Sequence, residues 1–162
     1  MVLKKEKTVR PYTLWMPWVC LLMVILLLFG CAPKKVHVYE HIGGVRNNII
    51  EFAMGLHGRP YKSGAKGPSA FDCSGFVYYV YKNSGITLPI TAERLEQTGY
   101  EVSGSAVMPG DLVFFSIKKE LHIGIMLNKR EFIHASKTRG VAIDSLDTRY
   151  WAQSFKGFRS VL

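Results

Sequence analysis

A chain of 162 residues is long enough for one domain with its own core and short for two. Hydrophobic residues at 48% and charged residues at 20% exclude an intrinsically disordered chain. The net charge of +9 suits an anionic surface, but Lys and Arg are scattered rather than gathered in a block, which argues against nucleic acid as a partner.

The apolar residues crowd first near the N-terminus. Lys4, Lys5, Lys7 and Arg10 precede an apolar run over 19–29, shorter than the roughly 20 residues that cross a bilayer as a permanent helix. That layout predicts a signal peptide over residues 1–30. The run ends in Leu28-Phe29-Gly30-Cys31, which resembles the lipobox of bacterial lipoproteins and implies lipid attachment at Cys31. An uncleaved anchor, with Trp15 and Trp18 extending the stretch, is the alternative. Either layout tethers the domain to a membrane in the cell envelope. Ala32, where an aspartate would hold an enteric lipoprotein at the inner membrane, points to the outer membrane facing the periplasm in a Gram-negative host. Loss of residues 1–30 removes four basic side chains and one acidic one, lowering the charge from +9 to +6. Cys20 leaves with the signal and Cys31 takes lipid, so Cys73 is the remaining thiol and no internal disulfide can form.

Residues 31–44 hold Pro33 and Gly43-Gly44 among short polar and basic residues, and read as a tether. The folded domain is expected over 45–162. Ile49, Ile50, Phe52, Ala53 and Leu56 repeat with helical spacing, and a glycine-rich loop follows from Arg59-Pro60-Tyr61 to Pro68. Asp72 is placed to cap a helix over 73–83, with Phe76, Val77, Val80 and Tyr81 as its buried stripe and Gly85 as its stop. A short helix over 91–97 comes next. Beyond Pro109-Gly110-Asp111 the period changes to alternation, predicting strands over 112–115, 121–127, 132–135 and 141–143, with one or two more over 151–161. Helices followed by an antiparallel sheet predict an α+β fold.

Cys73 stands in the first turn of its helix, where the partial positive charge of the helix end favours a thiolate. Gly75 leaves room for another chain or a substrate to approach, and the free N–H groups there suit an oxyanion. On the strands, alternation puts His122, Gly124 and Met126 on one face, and Phe132 and His134 on one face of the next. A three-residue loop of Asn128, Lys129 and Arg130 pairs Gly124 with His134 and sets His122 diagonally across from it. Two histidines meeting over a glycine, with a cysteine at a helix end, follow the base and orienter logic of an activated nucleophile. A zinc site on Cys73, His122 and His134 is a further reading. No additional Cys or closely spaced His pair completes four ligands, so neither metal nor cofactor is expected. His41 and His57 read as surface residues, and Trp151 as packing on the sheet.

Asp72-Cys73-Ser74-Gly75-Phe76-Val77, Pro109-Gly110-Asp111-Leu112-Val113-Phe114-Phe115, His122-Ile123-Gly124-Ile125 and Phe132-Ile133-His134-Ala135-Ser136 closely resemble the NlpC family of papain-like cell-wall peptidases. The resemblance implies a papain-like fold and a Cys-His-His triad: Cys73 as nucleophile, His122 as base and His134 as orienter. It places Tyr61, from Gly58-Arg59-Pro60-Tyr61, at the oxyanion site, and Asp72 and Ser74 beside the substrate or at the helix start. Where the family carries an aromatic and a double glycine after that tyrosine, this chain has Ser63-Gly64-Ala65. The implied activity is hydrolysis of peptide or isopeptide bonds in peptidoglycan stems or cross-links through a thioester, by a monomer. The alternative is a lipoprotein of the same fold that binds peptidoglycan peptides without cleaving them.

Overall fold

Three helices come first along the chain and the sheet follows, as the change of period predicts, with a fourth helix before the last strand. The computed structural model describes residues 44–162; the expected signal peptide over 1–30, Cys31 and the expected tether through residue 43 lie outside the described residues. Helix α1 (Val45–Gly55) buries Ile49, Ile50 and Ala53. Helix α2 (Cys73–Asn83) buries Phe76, Val77, Val80 and Tyr81, whose spacing of three and four puts them on one side. Asp72 caps it, accepting from the Gly75 N–H at 2.6 Å. At the far end Gly85, at φ +82°, turns the chain where a side chain would be strained. The short helix α3 (Ala92–Glu96) is capped by the Thr91 hydroxyl.

Six strands follow: β1 (Tyr100–Val102), β2 (Leu112–Ile117), β3 (Glu120–Met126), β4 (Glu131–Ser136), β5 (Gly140–Ser145) and, after helix α4 (Arg149–Ser154), β6 (Phe155–Ser160). They form one antiparallel sheet in the order β1-β6-β2-β3-β4-β5. Strand β1 is not apparent from the sequence because its partner is the last strand, with Tyr100 opposite Ser160. Residues 151–161 supply one strand, and Trp151 itself sits on α4.

One face of the sheet carries Val113, Phe115, Met126, Phe132 and Phe158, closed over by Trp151. Leu112, Phe114, Ile123, Ile125 and Ile133 alternate with these and are equally buried. Helix α2 packs on β3 and β4, and α4 on β2. Both faces of the central strands are therefore covered, and burial along them is nearly continuous.

The Pro109-Gly110-Asp111 turn locks the helices to this sheet. Asp111 is buried and accepts from the Met108 N–H at 2.8 Å and from Arg46 at 3.0 Å. Tyr81 donates to the Gly110 carbonyl. The buried carboxylate is thus both paired and hydrogen-bonded, the condition under which burying a charge is tolerated.

Strand β3 pairs with β2 over six positions and β4 with β5 over six, but β3 and β4 meet only at Ile125↔Ile133 and Met126↔Phe132. The three-residue loop closes as expected, with the Leu127 N–H donating to the Glu131 carbonyl at 2.8 Å. The register puts Gly124 opposite His134, yet the ladder stops one residue short. From there the two strands part, and the sheet opens on the side where His122 stands.

Candidate active site

The opening between β3 and β4 is a cleft of about 570 Å³, lined by Cys73, His122, His134, Tyr61, Asp144 and Trp151 among others. Three separate parts of the chain deliver these groups. Cys73 comes from the start of α2, the histidines from the parting strands, and Tyr61 from the loop before α2, tied by its bridge to Phe71.

Gly124 makes the meeting of the rings possible. A Cβ there would lie 2.8 Å from the Phe132 ring and 3.3 Å from the His134 Cβ. Without it, His122 Nε2 comes to 2.8 Å from His134 Nδ1, the rings nearly perpendicular at 84°. The other nitrogen of His134, Nε2, lies 2.9 Å from Asp144 Oδ2, and Arg139 reaches the same oxygen at 2.5 Å. A line of four side chains thus runs from the cleft back to the surface. Trp151 walls it, stacked on His122 at 28° and edge-on to His134 at 81°.

Behind Cys73 the Lys66 ammonium lies 3.0 and 2.9 Å from the two Asp72 carboxylate oxygens and 3.1 Å from the Ser74 hydroxyl. The side chains of Asp72 and Ser74 are therefore engaged in fixing the helix start and do not line the cleft. Gly75 serves another stretch of chain, since a Cβ there would sit 2.2 Å from the Ala65 carbonyl oxygen. His57 is exposed on the turn after α1, and His41 lies outside the described residues.

Burial, and then the Asp72 carboxylate, push the Cys73 thiol above its ordinary range; the Ser74 N–H and the Lys66 ammonium pull back without prevailing. Burial, and then the neighbouring His134, hold His122 down to about 3. Burial also lowers His134, against the opposing pull of Asp144. Asp144 stays below the usual carboxylate range: its partial burial opposes ionisation, but hydrogen bonds from Arg139 and His134 outweigh it. These directions favour the neutral forms of Cys73, His122 and His134 and the ionised form of Asp144.

Asp144, Arg139 and Lys66 carry roles that sequence reasoning missed. For Asp144 a signal existed: continuing the alternation of 141–143 by one residue puts Ala142 and Asp144 on the face of His134, and the register pairs His134 with Ala142. Lys66 and Arg139 lie in loops whose closure depends on the whole fold, and no local period marks them.

The chain matches the NlpC/P60 family model over residues 58–160. It is 33% identical to the probable endopeptidase NlpC of Escherichia coli, over 84% of this chain and 94% of that protein. Identity is 41% with the probable endopeptidase p60 of Listeria seeligeri over 70% of this chain, and 38% with the peptidoglycan DL-endopeptidase CwlO of Bacillus licheniformis over 77%. The chain spans 22% and 31% of the length of those two longer proteins. Among solved structures, an NlpC/P60 family protein from Bacillus cereus superposes with a TM-score of 0.68 at 29% identity, covering 72% of this chain and 40% of that one. RipD of Mycobacterium tuberculosis, a non-catalytic NlpC/p60 domain protein adapted to peptidoglycan binding, shares the fold with a TM-score of 0.62 at 20% identity, over 75% of this chain and all of that one. The family match spans the cleft and every strand that builds it, and the chain belongs to the NlpC/P60 family, with its α+β papain-like fold.

Proposed function

We propose that the protein is a peptidoglycan endopeptidase that cleaves peptide or isopeptide bonds of stem peptides or cross-links through Cys73, His122 and His134. The observation that carries this reading is the hydrogen-bonded His122–His134 pair in a cleft also lined by Cys73. With Nε2 of His122 committed to His134, Nδ1 is the nitrogen left to take the thiol proton as sulfur attacks the substrate carbonyl carbon. The N–H groups at the start of α2, with the Tyr61 hydroxyl, stabilise the oxyanion of the tetrahedral intermediate. Collapse expels the amine, which receives the proton from His122, and leaves a thioester. Water, deprotonated by His122, attacks that thioester, releases the carboxylate and restores the thiol.

Digestion of purified peptidoglycan by the full chain, with fragments identified by mass, tests the reading. Peptide fragments should appear with the wild type, persist with a chelator present and vanish with Cys73→Ala. Binding without release of fragments by the wild type would leave the non-cleaving alternative. Anchoring at the envelope through Cys31 is part of the same proposal. Metabolic labelling with a fatty-acid analogue should mark the wild type and not Cys31→Ala, and equal labelling of both would refute it.

A further inference from the structure

The line of side chains behind His122 contains one group whose hydrogen-bonding role allows no choice. Arg139 can only donate, and an ionised carboxylate can only accept. Asp144 Oδ2, with Arg139 Nη2 at 2.5 Å and His134 Nε2 at 2.9 Å, therefore accepts from both, and the proton of His134 sits on Nε2. A neutral imidazole has one N–H, so Nδ1 of His134 is an acceptor. The 2.8 Å contact between His134 Nδ1 and His122 Nε2 then requires the proton of His122 to lie on Nε2. Nδ1 of His122 is left bare.

We propose that Asp144 is a positioning residue: acting through His134, it fixes the tautomers of both imidazoles so that His122 presents its unprotonated Nδ1 to Cys73. This rests on the reading of Cys73 and His122 as nucleophile and base. The reverse arrangement, with His134 donating from Nδ1 to His122, would point its bare Nε2 at the carboxylate and lose the bond to Asp144. His134 is 1% exposed, so water cannot replace the missing partner. The proton order along the line is thus set from its outer end, where Arg139 holds Asp144 ionised. Trp151 and Phe132, packed on His134 at 4.9 and 5.1 Å, keep the ring from turning over.

The test uses the full chain in detergent, labelled with ¹⁵N-histidine, with two readouts that need no peptidoglycan: the imidazole nitrogen shifts and the rate of Cys73 alkylation by iodoacetamide. In the wild type both rings should carry their proton on Nε2. Asp144→Ala should populate the Nδ1–H form of His122 and slow alkylation at least about tenfold, as expected when a base is held in the wrong tautomer. Asp144→Asn, whose carbonyl can occupy the Oδ2 position, should keep the wild-type tautomers and alkylate within about threefold of the wild-type rate. A wild-type proton on Nδ1 of either ring, or an Asp144→Ala protein with wild-type tautomers and alkylation rate, overturns the proposal. If Asp144→Ala does not fold, the wild-type spectrum and Asp144→Asn still decide. Failure of the wild type to cleave peptidoglycan would count against the proposed function and leave these readouts intact.

Discussion

Replacing Gly75 by Ala should damage stability and thiol reactivity together, because one methyl meets the structure that holds Cys73. The added Cβ would lie 2.2 Å from the Ala65 carbonyl oxygen, 2.8 Å from the Lys66 Cδ and 2.9 Å from the Asp72 Oδ1. The carbonyl cannot retreat freely, since it accepts from the Asp72 N–H at 2.9 Å within a loop closed by bonds from Lys62 and Phe71. Overpacking costs about 1–3 kcal/mol. Loss of the Asp72 cap costs about 1 kcal/mol, and loss of the Asp72–Ala65 bond about 1 kcal/mol more. The gain in helix propensity from Gly to Ala offsets about 1 kcal/mol. The net loss is about 2–4 kcal/mol, or a fall in melting temperature of about 8–16 °C for a domain of this size. Thermal unfolding followed by circular dichroism measures it, with iodoacetamide alkylation reporting on Cys73. Gly55→Ala is the control, because its Cβ would meet nothing within 4 Å. A Gly75→Ala protein that melts and alkylates like the wild type would refute the claim that this contact fixes the helix start.

The two histidines should be unequal: His122→Gln should lose essentially all turnover on peptidoglycan fragments, whereas His134→Gln, whose amide can still bond to His122, should keep a measurable fraction. Equal loss in two folded proteins would show that the division of roles is wrong. Stability should also fall on acidification, because both imidazoles are held neutral in the fold and take up protons on unfolding. His122 moves from 6.5 down to about 3, so its contribution is full above about pH 6.5 and is lost as pH drops towards 3. Melting temperatures measured from pH 8 to pH 4 should show this decline, and His122→Gln should shallow it; an unchanged slope in that variant would assign the decline to other groups.

The first three helices and four of the strands were legible because their periods are local. The spacing of Phe76, Val77, Val80 and Tyr81 marks α2, and the alternation through His122, Gly124 and Met126 marks β3 with its partner register. Strand β1 and the insertion of β6 between β1 and β2 are long-range pairings that leave no local signature. Trp151 was readable as a packing residue, but its helix was not, because six residues ending directly in a strand give too little period to separate the two. The outer half of the proton line was hidden for a similar reason. Asp144 and Arg139 acquire meaning only once β4 and β5 are in register.

Capping and activation of Cys73 pull in opposite directions. The carboxylate of Asp72 orders the N–H groups at the start of α2, but its charge stands beside the sulfur and raises the thiol. Lys66 offsets part of that charge by binding both carboxylate oxygens, and the N–H groups of Ser74 and Cys73 add a further downward pull. Burial outweighs these pulls and the thiol stays raised. A buried thiol that stays protonated at rest must give up its proton as it attacks, and the acceptor has to be in place at that moment. That requirement moves the burden from the helix end to His122. A thiol needs a bare nitrogen facing it. The line from His122 through His134 to Asp144 supplies that condition, with Phe115, Phe132 and Trp151 packed around the two rings.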